Sequence, residues 1–398
     1  MEHRMTITDG RTATLSLPDD LLGRCRTRAA AHDRDNTYFT EDLAELAGIG
    51  YLRSAVPEHH GGWGLDLGQV AAQQRRLARH APATALGTTM HFYWLGIARE
   101  LERFGDDSCS WILREAAAGK VFAAGHAESG NDAPVVMSTA KAQRAEGGYR
   151  FTGRKMFGSN GPVWDYLGVH ALDVDAEGGP QIVHGFVERQ APGVQVLETW
   201  DTLGMRASQS HDTLLAEVFV PDARIGRTVP AGQNDDLFLF AMNIWALSLI
   251  GNVYLGIADR ALELAAASAR SKSSVAIPRG LYAYNPFVQH QLAEMYLELD
   301  AASATVDRLV EDWLAGTDHG ARWGAQIVSA KWRAVTAARR VVDLALEVSG
   351  GGGMFKGNEL ERLYRDVRCG GFHPANDALT HESVARFVLG FGADEPRW

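Results

Sequence analysis

Apolar residues recur at helical spacing in four stretches before residue 122: "LPDDLLGRCRTRAAAHD", "FTEDLAELAGIGYL", the long run "LGQVAAQQRRLARHAPATALGTTMHFYWLGIARELERFG", and "SWILREAAAGKV". Side chains three and four residues apart share a helix face, so this third of the chain predicts an all-helical block. From about Phe122 the period changes. "GGYRFTGRKMFGS", "YLGVHAL", "PQIVHGFVER" and "TLLAEVFVPD" alternate apolar and polar residues between Gly, Asp and Pro turns, which predicts β-strands. Beyond "GQNDD" (Gly232–Asp236) helical spacing returns over Leu237–Arg270 and in segments that open at Asn285, His319 and Asn376. Four long helices with short links predict an antiparallel bundle. The expected fold class is α+β: a helical domain over 1–121, a β-barrel-like domain over 122–232 and a four-helix bundle over 233–398. Binding sites are expected where such domains meet.

One run, Leu237–Ala258, is long and apolar enough to span a bilayer. It follows Asp235 and Asp236, lacks a flanking Lys/Arg cluster and carries Asn243 and Asn252, so it reads as the buried central helix of the bundle. The 398 residues are 46% hydrophobic and 22% charged, with a net charge of −10. That composition suits a globular protein with a large core, and the acidic balance argues against nucleic acid or an anionic membrane as main partner. The first twenty residues show no apolar run, so no signal peptide and a cytoplasmic location are expected. Cys25, Cys109 and Cys369 are too scattered for a disulfide framework or a metal knuckle. Among fourteen histidines there is no HExxH, and the adjacent imidazoles of "EHHGG" (Glu58–Gly62) are expected to point apart, so no metal centre is expected. No GxGxxG follows a strand, which leaves no nicotinamide site of the Rossmann kind. Trp94, Trp245 and Tyr254 read as core aromatics, with the wall of an aromatic ligand pocket as the alternative.

Five motifs in order resemble the acyl-CoA dehydrogenase superfamily over nearly the whole chain. They are "VPEHHGGWGLDLGQVAAQQRRLAR" (Val56–Arg79), "GHAESGND" (Gly125–Asp132), "GRKMFGSNG" (Gly153–Gly161), "LGMRASQSHDTLLAEVFVP" (Leu203–Pro221) and "SGGGGMFKGNELERLYRDVR" (Ser349–Arg368). The resemblance implies a flavoenzyme binding FAD, with FMN as the alternative, and a dimer or tetramer. It places Ala127 and Glu128 on a flavin loop, and Phe157 and Ser159 on a flavin-facing strand. Strict alternation would point Phe157 and Ser159 the same way, the ring packing on the isoalloxazine while the hydroxyl reaches N5. Gly350 and Gly351 fall where family members bring backbone amides to a diphosphate, and Lys272 where they keep a phosphate-binding arginine. Glu347 replaces the family's glutamine there, an awkward charge beside a diphosphate. Asn376 and Thr380, at the start of the last helix, complete the implied flavin contacts.

The dehydrogenases take an α-proton with a glutamate. Ungapped alignment of "RDVRCGGFHPANDALTHESVAR" with the family ending puts that glutamate on Pro374, and the alternative family position falls on Ala246. "RDVRCGGFHPAND" is also similar to the ending of flavin monooxygenases on this fold, whose implied active-site groups match His373, His91 in "TTMHFYW" and Ser159. Neutral donors in a dry pocket suit oxygen chemistry on reduced flavin. Three readings stand: a reduced-flavin monooxygenase or oxidase served by a separate reductase; a thioester dehydrogenase with Asp377 or Glu382 as displaced base; and a flavin-binding protein without turnover. Asn376 or Asp377 is also the expected N-cap of the last helix.

Overall fold

The computed structural model describes residues 16–232, 235–392 and 395; most of the polar N-terminal stretch lies outside them. Among the described residues five α-helices come first: α1 (Asp19–Asp35), α2 (Thr40–Gly48), α3 (Leu67–Ala78), α4 (Pro82–Arg103) and α5 (Ser110–Ala117). The long run from Leu67 to Gly105, read as one stretch, breaks into α3 and α4. Proline at the first position of α4 suits a helix start, where its missing N–H is no loss. A capping box opens α3: Asp66 accepts from the Gln69 amide while the Gln69 side chain accepts from the Asp66 amide.

Eight strands follow: β1 (Phe122–Gly125), β2 (Lys141–Ala145), β3 (Gly148–Gly158), β4 (Tyr166–Asp173), β5 (Gln181–Glu188), β6 (Val194–Leu197), β7 (His211–Pro221) and β8 (Ile225–Pro230). They pair in the order β6-β7-β3-β2-β4-β5-β8, with β1 parallel to β4. Among the described residues the ladder does not close into a ring, and the sheet carries its own core of Phe151, Trp164, Leu167 and Val218.

The C-terminal third holds α6 (Leu237–Ser271), α7 (Pro286–Leu314), α8 (Arg322–Ser349), α9 (Glu359–Arg368) and α10 (Asp377–Leu389). Helical periodicity missed α9, a short helix inside the motif Ser349–Arg368. The apolar run proves to be α6, packed by α3, α4, α7 and α8. Small residues allow that close packing: a Cβ at Gly96 on α4 would come within 2.0 Å of the Trp245 ring on α6. Trp94, Trp245 and Tyr254 are fully buried, as core aromatics. Each contributes about 2–3 kcal/mol of apolar burial. The indole N–H groups of Trp94 and Trp245 find Ala123 O at 2.9 Å and Glu100 Oε1 at 3.2 Å.

Candidate flavin site

At the end of β3 the pairing with β7 shifts register between Lys155 and Gly158, and Phe157 takes a left-handed φ of 58°. A shift of one residue reverses side-chain facing. Phe157 is therefore 51% exposed while Ser159 is 5% exposed, and the expectation that they share a face fails. The Phe157 ring stands edge-on to Trp200, with centroids 6.0 Å apart. Behind it, Ser159 Oγ lies 2.8 Å from Ser210 Oγ, and Ser210 Oγ lies 2.7 Å from Ser208 Oγ. Three hydroxyls own three O–H donors and these two bonds use two, so one donor of the chain stays available. Asn160 fixes this strand end to the helical domain, donating to Gly87 O on α4 at 2.8 Å and accepting from the Tyr38 hydroxyl at 3.1 Å.

On the neighbouring loop, Ala127 pairs with Met156 through the backbone. Glu128 faces inward, in an ion pair with Lys155 and accepting from Ser138 Oγ at 2.7 Å and the Thr139 amide at 2.9 Å. Burial pushes its pKa up, but the Lys155 charge and these donors outweigh it, so it stays below the ordinary value. Its carboxylate is thus committed inside the β-domain, and any flavin contact at Ala127 and Glu128 falls to the main chain.

The loop after α9 carries His373. Its Nε2 lies 2.8 Å from the Tyr254 hydroxyl on α6. Beneath it, Lys331 of α8 donates to the carbonyls of Gly370, His373 and Ala375 at 3.0, 2.9 and 3.0 Å. Burial draws the Lys331 pKa down to about 7; three carbonyl acceptors, which only the ammonium satisfies in full, oppose that shift. Burial first, and then the Lys331 charge, lower the His373 pKa to about 3. Pro374 and Ala246 stand at the two positions where the resemblance expected a base. Asp377 is exposed and accepts from Trp332 Nε1 at 2.7 Å. Glu382 lies more than a turn inside α10. Asn376 caps α10 by accepting from the Leu379 amide at 2.9 Å, and buried Thr380 donates to Ala375 O at 3.4 Å. Sequence reasoning missed Tyr254 as a partner and Lys331 altogether. The available signal was a lysine on the apolar stripe of α8, four residues from both Ile327 and Val335.

The structure places His91 elsewhere. Its Nε2 meets Leu52 O at 2.7 Å, so it carries the proton, and its Nδ1 accepts from the Phe122 amide at 3.1 Å. Burial lowers its pKa to about 4. Both nitrogens are spent on backbone, which corrects the expectation that His91 offers a donor to the flavin pocket: it is a post joining α4 to β1. At the glycine run, Gly350 caps α8 with φ 63°, and Gly350, Gly351 and Gly352 are exposed. Lys272 donates to Ser349 O, so its charge faces the negative end of α8. Glu347 accepts from Gln291 Nε2 at 2.7 Å. The adjacent imidazoles of His59 and His60 do not point apart: both reach the carboxylate of Glu102.

These residues fit a flavin at the ring end: exposed Phe157 against half-buried Trp200, a spare hydroxyl donor and main-chain groups at one strand end. The family model "Acyl-CoA dehydrogenase, C-terminal domain" matches residues 248–378. L-evernosamine nitrososynthase of a Micromonospora species is 30% identical over 93% of this chain and 88% of its own. Dibenzothiophene monooxygenase of Mycolicibacterium goodii is 27% identical, over 97% of both chains. The structure of KijD3 with FMN and a dTDP-linked amino sugar superposes with a TM-score of 0.80 at 27% identity, covering 95% of this chain and 93% of that one. The chain belongs to the acyl-CoA dehydrogenase superfamily of flavin-dependent oxidoreductases.

Proposed function

We propose that this protein is a reduced-flavin monooxygenase that oxygenates a nitrogen or sulfur atom of a small organic substrate. One observation supports the reading: Pro374 and Ala246 stand at the two positions where the resemblance puts a dehydrogenase's base, and next to Pro374 the His373 imidazole pairs with the Tyr254 phenol. A histidine with a pKa of about 3 is too weak a base to remove the α-proton of a thioester. Tyr254 is fully buried and its hydroxyl meets His373 Nε2, so the phenol proton goes to that nitrogen. The ring proton then sits on Nδ1, as a neutral donor. Such a donor orients an oxygen atom without drawing a proton from the substrate.

A bound reduced flavin supplies the two electrons that, with O₂, put one oxygen atom on substrate and release the other as water. Phe157 and Trp200 would wall its ring, the spare hydroxyl of the Ser159–Ser210–Ser208 chain would hold a ring heteroatom, and Lys331 would hold the His373 loop still. The names of the nitrososynthase and the dibenzothiophene monooxygenase support amines and sulfur heterocycles as substrate classes, and KijD3 supports an amino sugar carried on a nucleotide. FMN suits the site better than FAD, because Lys272 is engaged by α8 and Glu347 adds negative charge beside the glycine run. A separate reductase supplies the flavin, and exposed Phe355, Phe372, Val388 and Leu389 favour a homo-oligomer.

The test supplies reduced FMN or FAD, isotopically labelled O₂ and either a dTDP-amino sugar or a sulfur heterocycle. Labelled oxygen in the product supports the reading. Flavin reoxidation without product across both classes, with turnover of a thioester instead, rejects it.

A further inference from the structure

The loop Pro57–Gly61 forms a short 3-10 turn over Glu58–His60 that sets two imidazoles side by side, with centroids 4.3 Å apart and planes at 45°. Their Nε2 atoms reach the two oxygens of one carboxylate, His59 to Glu102 Oε1 at 2.5 Å and His60 to Oε2 at 2.9 Å. One ligand atom from each of the three residues lies within 4.8 Å of the other two. From this convergence we propose that His59, His60 and Glu102 bind a divalent cation of the zinc class, away from the residues assigned to the flavin.

The donor set decides the class of ion. Two imidazoles and a carboxylate suit zinc and its borderline-soft neighbours, whereas calcium and magnesium take oxygen ligands. Tetrahedral bonds of about 2.0–2.2 Å hold ligand atoms roughly 3.4 Å apart, so an ion replaces the two His–Glu102 hydrogen bonds and opens each by about 1 Å or less. The surroundings are set in advance. Arg99, one turn before Glu102 on α4, donates to the carbonyls of Ala55, Gly64 and Leu65 at 3.3, 3.1 and 3.0 Å, pinning the histidine loop to the helix. Ser110 Oγ donates to Glu102 Oε2 at 2.7 Å, the hydrogen bond from behind that orients a ligating carboxylate.

Charge points the same way. Glu102 lies in the last turn of α4, where the helix presents its negative end and a carboxylate is disfavoured unless a cation faces it. The His59 side chain is 64% exposed and that of His60 16%, so an ion enters from solvent and keeps a position open to water. Bound there, it fastens the 58–60 turn to the end of α4.

The experiment titrates the metal-free full chain with Zn(II) alone by calorimetry and with Co(II) alone by visible absorption. One ion per chain and a Co(II) spectrum of low coordination number are expected. His60→Ala and Glu102→Gln, both checked for unchanged circular dichroism, should abolish that binding. Ser110→Ala keeps all three ligands and should weaken it about 10- to 100-fold. No binding to the wild type, or equal binding by His60→Ala, overturns the site; if a variant misfolds, Ser110→Ala decides by the same criterion.

Discussion

The Tyr254 hydroxyl meets His373 Nε2 at 2.8 Å, joining the middle of α6 to the loop after α9. Tyr254→Phe keeps the ring and removes only this bond, which frees Nε2 of its partner and lets the tautomer change. Product formed per O₂ consumed should fall about threefold to tenfold, the worth of one hydrogen bond, while the far-UV spectrum holds. Oxygen electrode and product quantification read the ratio directly; an unchanged ratio removes Tyr254 from the account.

Lys331 holds three carbonyls of that loop. Lys331→Met fills the same space without donors and should cost about 2–4 kcal/mol in urea unfolding, since buried acceptors are left without partners. A loss under 0.5 kcal/mol, the level of a surface substitution, would mean water replaces the ammonium.

Acid should unfold the protein through its buried imidazoles. The folded-state pKa is about 4 for His91 and about 3 for His184 and His373, each lowered mainly by burial, against 6.5 for the free side chain. Between those values the unfolded chain binds a proton that the folded chain refuses, so stability is lost as pH falls through about 6.5 toward 3, by up to about 1.4 kcal/mol per pH unit for each histidine. Thermal unfolding from pH 7 to 4 should show a steep fall in Tm, with a shallower slope in His184→Phe. A flat Tm over that range contradicts the assignment.

Ser210 is the middle of the three-hydroxyl chain. Ser210→Ala should weaken flavin binding about tenfold, measured by fluorescence titration, because Ser159 and Ser208 lose their shared partner and the donor leaves its place. Equal affinity would detach this chain from the flavin.

The pattern of apolar positions located most elements, because periods of 3.6 and 2 follow from which face is buried. It merged α3 with α4, since "HAPA" interrupts the apolar stripe by one turn only, and missed α9, whose ten residues are dominated by charge. Site legibility followed the same physics. His373 stood out as a residue type at a motif position, but its partners come from α6 and α8, 119 and 42 residues away, and no local pattern connects them. Phe157 and Ser159 were misjudged because a register shift is set by pairing with β7, not by β3 itself. His91 looked chemical and proved architectural because both its partners are backbone groups, which leave no trace in side-chain identity.

In the proposed monooxygenase no group of this site takes a substrate α-proton. The direct measurement loads the protein with oxidised flavin, removes oxygen, adds acyl-CoA thioesters of graded chain length and follows the flavin absorbance. The oxidised spectrum should persist with every thioester; rapid bleaching by any one of them would reveal a working base and overturn the monooxygenase reading.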